Sequence, residues 1–347
     1  MKSDMNPGWH WKKAFAMLLC VLPGGIAQAQ QVMLKIHHFL PPGSNFHSRF
    51  LVPWCEKIEH QSAQRLKCQL FPSMQLGGSP AQLYDQAKDG VADIVWTLPG
   101  HTAGRFPLVE AFELPFMMKN EEATSRALWE YVQTHDAAEF ADVKLLAFHV
   151  HGPGVFHTIR APIKTRADLR GKKLRVPTRQ SSKLLAILGA TPVGMPVSQV
   201  PEALSKGVID GALVPFEVVP AIKANELTKF HSVTDPSEAA LYVTTFLFAM
   251  NKEKYADLPA ELQKVIDANS GIGLSGQIGR IFGESDASGR KTVPESSINI
   301  IPRGEIDQWK ALAQPVIDGW VKDMNGRGHD GARLVRSARE LIAKHSK

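Results

Sequence analysis

The 347-residue chain is 44% hydrophobic and 21% charged, the composition of a soluble globular protein with room for two domains of ordinary size. Its formal net charge of +6 falls to +4 (37 basic against 33 acidic residues) once residues 1–29 are removed. That excess is spread along the chain, with no dense basic face interleaved with aromatics, so no nucleic acid is expected as a partner.

Lys12 and Lys13 precede an apolar run from Ala14 to Leu22, then Pro23, Gly24, Gly25 and the small-residue site Ala27-Gln28-Ala29. This pattern predicts a secretory signal peptide over residues 1–29, cleaved after Ala29. Its apolar run is too short to cross a bilayer and no later segment is long enough, so the mature protein is not expected to span a membrane. Export places Cys55 and Cys68 in an oxidising compartment, on a predicted helix and the strand after it; they either bridge or remain two buried thiols.

VMLKIHHF alternates as a strand does, and Pro41-Pro42-Gly43-Ser44 breaks it before a helix from about Asn45 to Gln61. RLKCQLF is the next strand. A two-part unit follows: Ser79 and Pro80 open a short helix, Gly90 stops it, and Val91-Ala92-Asp93 leads into a strand. The same design recurs as Ser198-Gln199-Val200-Pro201, a short helix, Gly207, Val208-Ile209-Asp210 and GALV. In each copy Ser is expected to cap free helix N–H groups, Pro to occupy the first turn, and Gly to take the left-handed C′ position. An α-to-β step used twice predicts two similar α/β lobes with a ligand crevice between them.

Between the two copies lie a turn-rich loop (LPGHTAGRFP), the segment FELPF, a helix near 121–140 and the long strand VKLLAFHVHG, ended by a hinge-like Gly152-Pro153-Gly154. TRADLRG then reads as a capped turn, KKLRVP as a strand, and about 180–188 as a helix. LYVTTFLFAM is apolar and β-branched, a buried strand returning to the first lobe. Beyond Pro259 the pattern is helical, interrupted by the strand SINIIP.

Several motifs lose their chemistry in context. Gly271-Ile272-Gly273-Leu274-Ser275-Gly276 fits a dinucleotide fingerprint by letter, but a helix rather than a strand precedes it, so small residues easing helix packing is the better account. Histidines cluster at His37, His38 and His47, and at His149, His151 and His157, without Cys or carboxylate at ligand spacing, so no metal and no cofactor are expected. A G-x-S-x-G elbow at Ser275 fails because Gln277 stands where glycine is needed. Arg175 and Arg179, on and just beyond the strand KLRVP, sit where open α/β sheets bind ligands; two guanidinium forks there point to an anionic ligand. Arg179 is alternatively a solvated charge or a partner of Glu217.

The run DLRGKKLRVPTR, LGATPVGMPVSQVPEALSKGVIDGALVPFE, from Asp168 to Glu217, closely resembles the DctP-type solute-binding proteins of TRAP transporters. IHHFLPPGSNFH, FPSMQLGG, KDGVADIVW and FELPF match in the same order, so the likeness covers nearly the whole mature chain. It implies a two-lobed, Venus-flytrap α/β fold with crossing strands and a long connecting helix. The expected lobes are 30–154 with 242–282, and 155–241 with 283–347 including the C-terminal helices. It also implies a monomeric periplasmic receptor, without catalysis, that hands a small organic acid to a TRAP membrane permease.

Arg175 matches the arginine with which the family binds a substrate carboxylate. The family's second arginine has no counterpart at Gly152-Pro153-Gly154, and Ala212, Leu213 and Val214 replace the polar residues before Pro215. The expected ligand-binding set is Arg175, Arg179, His38, Phe39, Trp96, Thr97, Phe216, Glu217 and Tyr242, a pocket suited to a hydroxy, oxo or aromatic monocarboxylate. A sensor module feeding a membrane kinase would share this fold and site, and a secreted hydrolase would need a nucleophile and base that could not be assembled.

Overall fold

The computed structural model describes residues 31–347; the expected signal peptide lies outside the described residues. Two mixed β-sheets organise the described chain. The first has the order β2 (Leu66–Phe71), β1 (Val32–His38), β3 (Ile94–Thr97), β10 (Thr245–Asn251), β4 (Val143–Val150). β1 runs parallel to β2 and β3, while β10 runs antiparallel to β3 and β4. The second has the order β11 (Ile298–Ile300), β9 (Phe230–Val233), β5 (Val155–Thr158), β8 (Gly211–Val214), β6 (Lys173–Val176), β7 (Thr191–Gly194). β6 pairs in parallel with β7 and β8, and β5 pairs antiparallel to β8 and β9. The run from 241 to 250 thus supplies a fully buried strand of the first sheet, as its apolar, β-branched composition predicts.

The duplicated unit has a structural purpose beyond its helix ends. In each copy the terminal aspartate grips the neighbouring parallel strand: the Lys35 N–H donates to Asp93 Oδ2 at 2.7 Å, and the Lys173 N–H donates to Asp210 Oδ2 at 2.8 Å. The aspartates' own N–H groups donate back to the Lys35 and Lys173 carbonyls at 2.9 and 2.8 Å. Gly90 and Gly207 turn the chain at φ +73° and +66°, where a side chain would be strained. The copies differ at their starts. Ser79 completes a capping box with Gln82, whereas Ser198 lies inside the turn Val197–Gln199 and caps nothing, because Pro196 occupies the position before that turn.

The helix Val52–Gln61 packs on β2, and the Cys55–Cys68 disulfide, with Cα atoms 5.9 Å apart, ties the two together. The glycine-rich run beginning at Gly271 opens the 20-residue helix Gly271–Arg290. A Cβ on Gly276 would lie 2.5 Å from Arg126, and one on Gly279 would lie 2.5 Å from the Glu121 carbonyl, so these glycines permit close packing against the helix Glu121–Tyr131. The 24-residue helix Arg303–Gly326 serves both sheets: Trp309 packs with Leu174 and Val176 of the second sheet's core, and Trp320 donates from Nε1 to the Pro107 carbonyl at 3.1 Å in the first. Among the described residues, no helix is long and apolar enough to cross a membrane.

Candidate functional site

β1, β3, β6 and β8 all deliver residues from their C-terminal ends to one cavity of about 410 Å³, counting its opening to solvent. Phe39 follows β1, Trp96 lies on β3, Arg175 on β6 and Val214 on β8; Glu217 follows in the turn Phe216–Val218, and Tyr242, Thr244 and Phe246 come from the crossing segment that becomes β10. Strand ends of open α/β sheets are where ligands bind, because side chains and free backbone groups converge there.

Arg175 is the charged group of this cavity, 3% exposed. Its Nε donates to the Met195 carbonyl at 2.9 Å and its Nη1 to the Leu213 carbonyl at 3.0 Å, bonds that hold the guanidinium plane in place. Among the described residues no carboxylate pairs with it and Nη2 makes no hydrogen bond, so three of its five N–H groups remain for a ligand. Burial pulls its pKa down to about 10, with the Tyr242 phenol opposing, and it stays cationic at neutral pH.

Aromatic rings form the walls. Trp96 stacks on Phe39 at 4.8 Å and on Phe246 at 4.8 Å between ring centroids. Its indole Nε1 donates to His149 Nε2 at 2.8 Å, and since an indole can only donate, His149 accepts there and is neutral, its pKa lowered by burial to about 3. His151 Nε2 likewise accepts from the Thr244 N–H at 3.1 Å while its Nδ1 faces the Gly152 carbonyl. These two histidines are consumed as hydrogen-bonded supports. His101 differs: its Nδ1 is buried without a partner, and burial followed by the Arg175 charge lowers its pKa to about 4. The Tyr242 hydroxyl is also buried without a partner, and burial raises its pKa, so it remains a phenol. The Glu217 carboxyl is pushed up to about 8 by burial and by the nearby Asp286 carboxylate, with Asn45 opposing.

Of the nine residues expected at the site, Phe39, Trp96, Arg175, Glu217 and Tyr242 line the cavity. The other four do not reach it. His38 is buried behind Trp96, its Nε2 2.9 Å from His47 Nδ1. Thr97 turns its hydroxyl to the Pro80 carbonyl at 3.2 Å. Phe216 packs against His157 at 5.2 Å and belongs with Val155, Val233 and Val293, on the far side of the chain from its neighbour Glu217. Arg179 pairs with Glu110 and Asp323 rather than with Glu217: its Nε donates to Glu110 at 2.5 Å and its Nη2 to Asp323 at 3.2 Å. Sequence reasoning missed His101, inside the turn-rich loop, and Leu98, Val197 and Phe246, whose apolar letters read as core. No group of side chains among the described residues forms a metal site.

Two mixed sheets whose strand ends meet around one cavity define a two-lobed binding protein. Residues 36–323 match the bacterial extracellular solute-binding protein family 7, DctP, and the chain belongs to that family of TRAP solute-binding proteins. A TRAP solute-binding protein of Rhodoferax ferrireducens, solved with copurified benzoate, is similar over 91% of this chain and 99% of its own, at 55% identity and a TM-score of 0.89. A marine-metagenome TRAP solute-binding protein specific for aromatic acids, solved with 3-hydroxybenzoate, is similar over 92% of this chain and all of its own (100%), at 48% identity and a TM-score of 0.89. The outer membrane transporter protein TsaT of Comamonas testosteroni is 28% identical over 92% of this chain and 94% of its own length.

Proposed function

We propose that this protein is a monomeric periplasmic receptor that captures a small monocarboxylate with an aromatic body and delivers it to a TRAP-type membrane permease, without catalysis or cofactor. Arg175 carries the reading. A buried guanidinium with no carboxylate partner is costly unless an anion comes to it, and its free N–H fork matches a carboxylate. Phe39, Trp96 and Phe246 supply flat apolar walls for a ring. The relatives that hold benzoate and 3-hydroxybenzoate support the same class of ligand.

The closing bodies are the two sheets with the elements packed on each, moving about Gly152–Gly154 and Leu241–Thr245. A second carboxylate or a many-hydroxyl sugar acid finds few donors here, because Phe39, Leu98, Val197, Val214 and Phe246 make much of the wall apolar. Thermal-shift measurements with benzoate, mandelate, succinate, glucuronate and sialic acid test the reading. Benzoate or mandelate should stabilise the protein most, by about 2.7 kcal/mol at 100 times the dissociation constant. Stronger stabilisation by succinate or the sugar acids would overturn it.

A further inference from the structure

We infer that Glu217, together with Tyr242, forms a second polar pole of the cavity that reads a hydroxyl group on the ring of an aromatic monocarboxylate held by Arg175. The inference rests on the carboxylate reading of Arg175 and adds what that reading leaves open, the preferred substitution of the ring.

Glu217 lines the cavity at 4% exposure. Its backbone is fixed from both sides: its N–H donates to Asp286 Oδ1 at 3.2 Å, and its carbonyl accepts from Asn45 Nδ2 at 2.7 Å. Apart from that Asn45 amide alongside it, no described protein group partners the carboxyl. The Tyr242 hydroxyl, also at the cavity, is buried and unpartnered. Arg175, Tyr242 and Glu217 line the same cavity, and among the described residues neither Tyr242 nor Glu217 hydrogen-bonds to Arg175. The cavity therefore holds a guanidinium, a carboxyl and a phenol that do not satisfy one another.

A ring whose carboxylate occupies Arg175 directs its distal edge away from the guanidinium, into the rest of the cavity that Glu217 and Tyr242 line. A carboxyl group, ionised or protonated, offers an oxygen that accepts a phenolic O–H, and a protonated one also donates. A ring C–H at that edge leaves the buried carboxyl unsatisfied, and a site built to bond a hydroxyl rejects the analogue lacking it. A second carboxylate at that edge would sit against Glu217 and force one of the two to stay protonated.

Calorimetric titration of the mature protein and of Glu217→Leu and Glu217→Gln with benzoate, 3-hydroxybenzoate, 4-hydroxybenzoate and 3-methylbenzoate tests the pole. In the parent, one hydroxybenzoate should bind about tenfold tighter than benzoate, with no such gain from the methyl group. Glu217→Leu should bring the hydroxybenzoate-to-benzoate affinity ratio to about one, and Glu217→Gln should keep part of the preference. An unchanged hydroxyl-to-hydrogen ratio in Glu217→Leu overturns the assignment, as does a methyl gain equal to the hydroxyl gain, a comparison that needs no variant to fold. Parent protein that binds benzoate without hydroxyl preference overturns the pole alone; parent protein that binds none of these acids overturns the carboxylate reading with it.

Discussion

Arg175 and Arg179 stand four residues apart and have opposite fates, which shows what decides the role of a charged side chain here. Arg175 spends two N–H groups on carbonyls and keeps its charge uncompensated; Arg179 is neutralised by Glu110 and Asp323, 69 and 144 residues away in sequence. Strand position and family likeness made the place of Arg175 at the cavity readable in advance, but the acidic partners of Arg179 are brought by tertiary folding and leave no local signal. Phe216 and Glu217 teach the same lesson, since adjacent residues face opposite sides and only one reaches the cavity. Glu217 also makes stability depend on pH. Burial raises its folded pKa to about 8 from the ordinary carboxyl value of 4.5, so its contribution is fully present below about pH 4.5 and is lost as pH rises through 8. Glu217→Gln lacks that loss. Melts at pH 5, 7 and 9 should therefore show the variant gaining on the parent as pH rises, by on the order of 1 kcal/mol or more; a difference independent of pH would contradict the assignment.

At the scale of elements, the sequence announced the duplicated helix–strand unit, a strand within 241–250, observed at Thr245–Asn251, and the packing role of the glycines from 271 onward, because turn chemistry and apolar patterning are local. It did not announce β7, whose Thr-Pro-Val-Gly letters carry little strand signal, nor the failed cap at Ser198, which depends on where Pro196 starts the turn. The join between β4 and β5 is the most constrained element at the site. A Cβ on Gly154 would fall 1.8 Å from the Tyr242 ring, and one on Gly152 would fall 2.7 Å from the Asp286 carboxyl carbon. Gly154→Ala must therefore move Tyr242 out of the cavity wall. Overpacking of this kind costs about 1–3 kcal/mol, so the variant should melt earlier and bind benzoate more weakly than the parent. Calorimetry and thermal melts giving parental values for both would show that Tyr242 is free to shift without consequence.

For the whole molecule, burial at the site dictates motion. Trp96 and Tyr242 are each 1% exposed and Arg175 3%, so a ligand the size of benzoate cannot reach them unless the two sheets' strand ends part. Contacts from both sides then favour the closed population in proportion to the affinity difference between states. Small-angle scattering should report a larger radius of gyration without ligand than with saturating benzoate, and identical profiles would count against closure. Receptor function of this kind requires Arg175 to anchor a carboxylate in a dry cavity. Calorimetric titration of benzoate into the mature protein and into Arg175→Ala measures this. Losing one partner of a desolvated charge pair costs about 2–5 kcal/mol, so binding should weaken by more than about tenfold in Arg175→Ala, with only partial recovery in Arg175→Lys; parental affinity in Arg175→Ala would contradict the account.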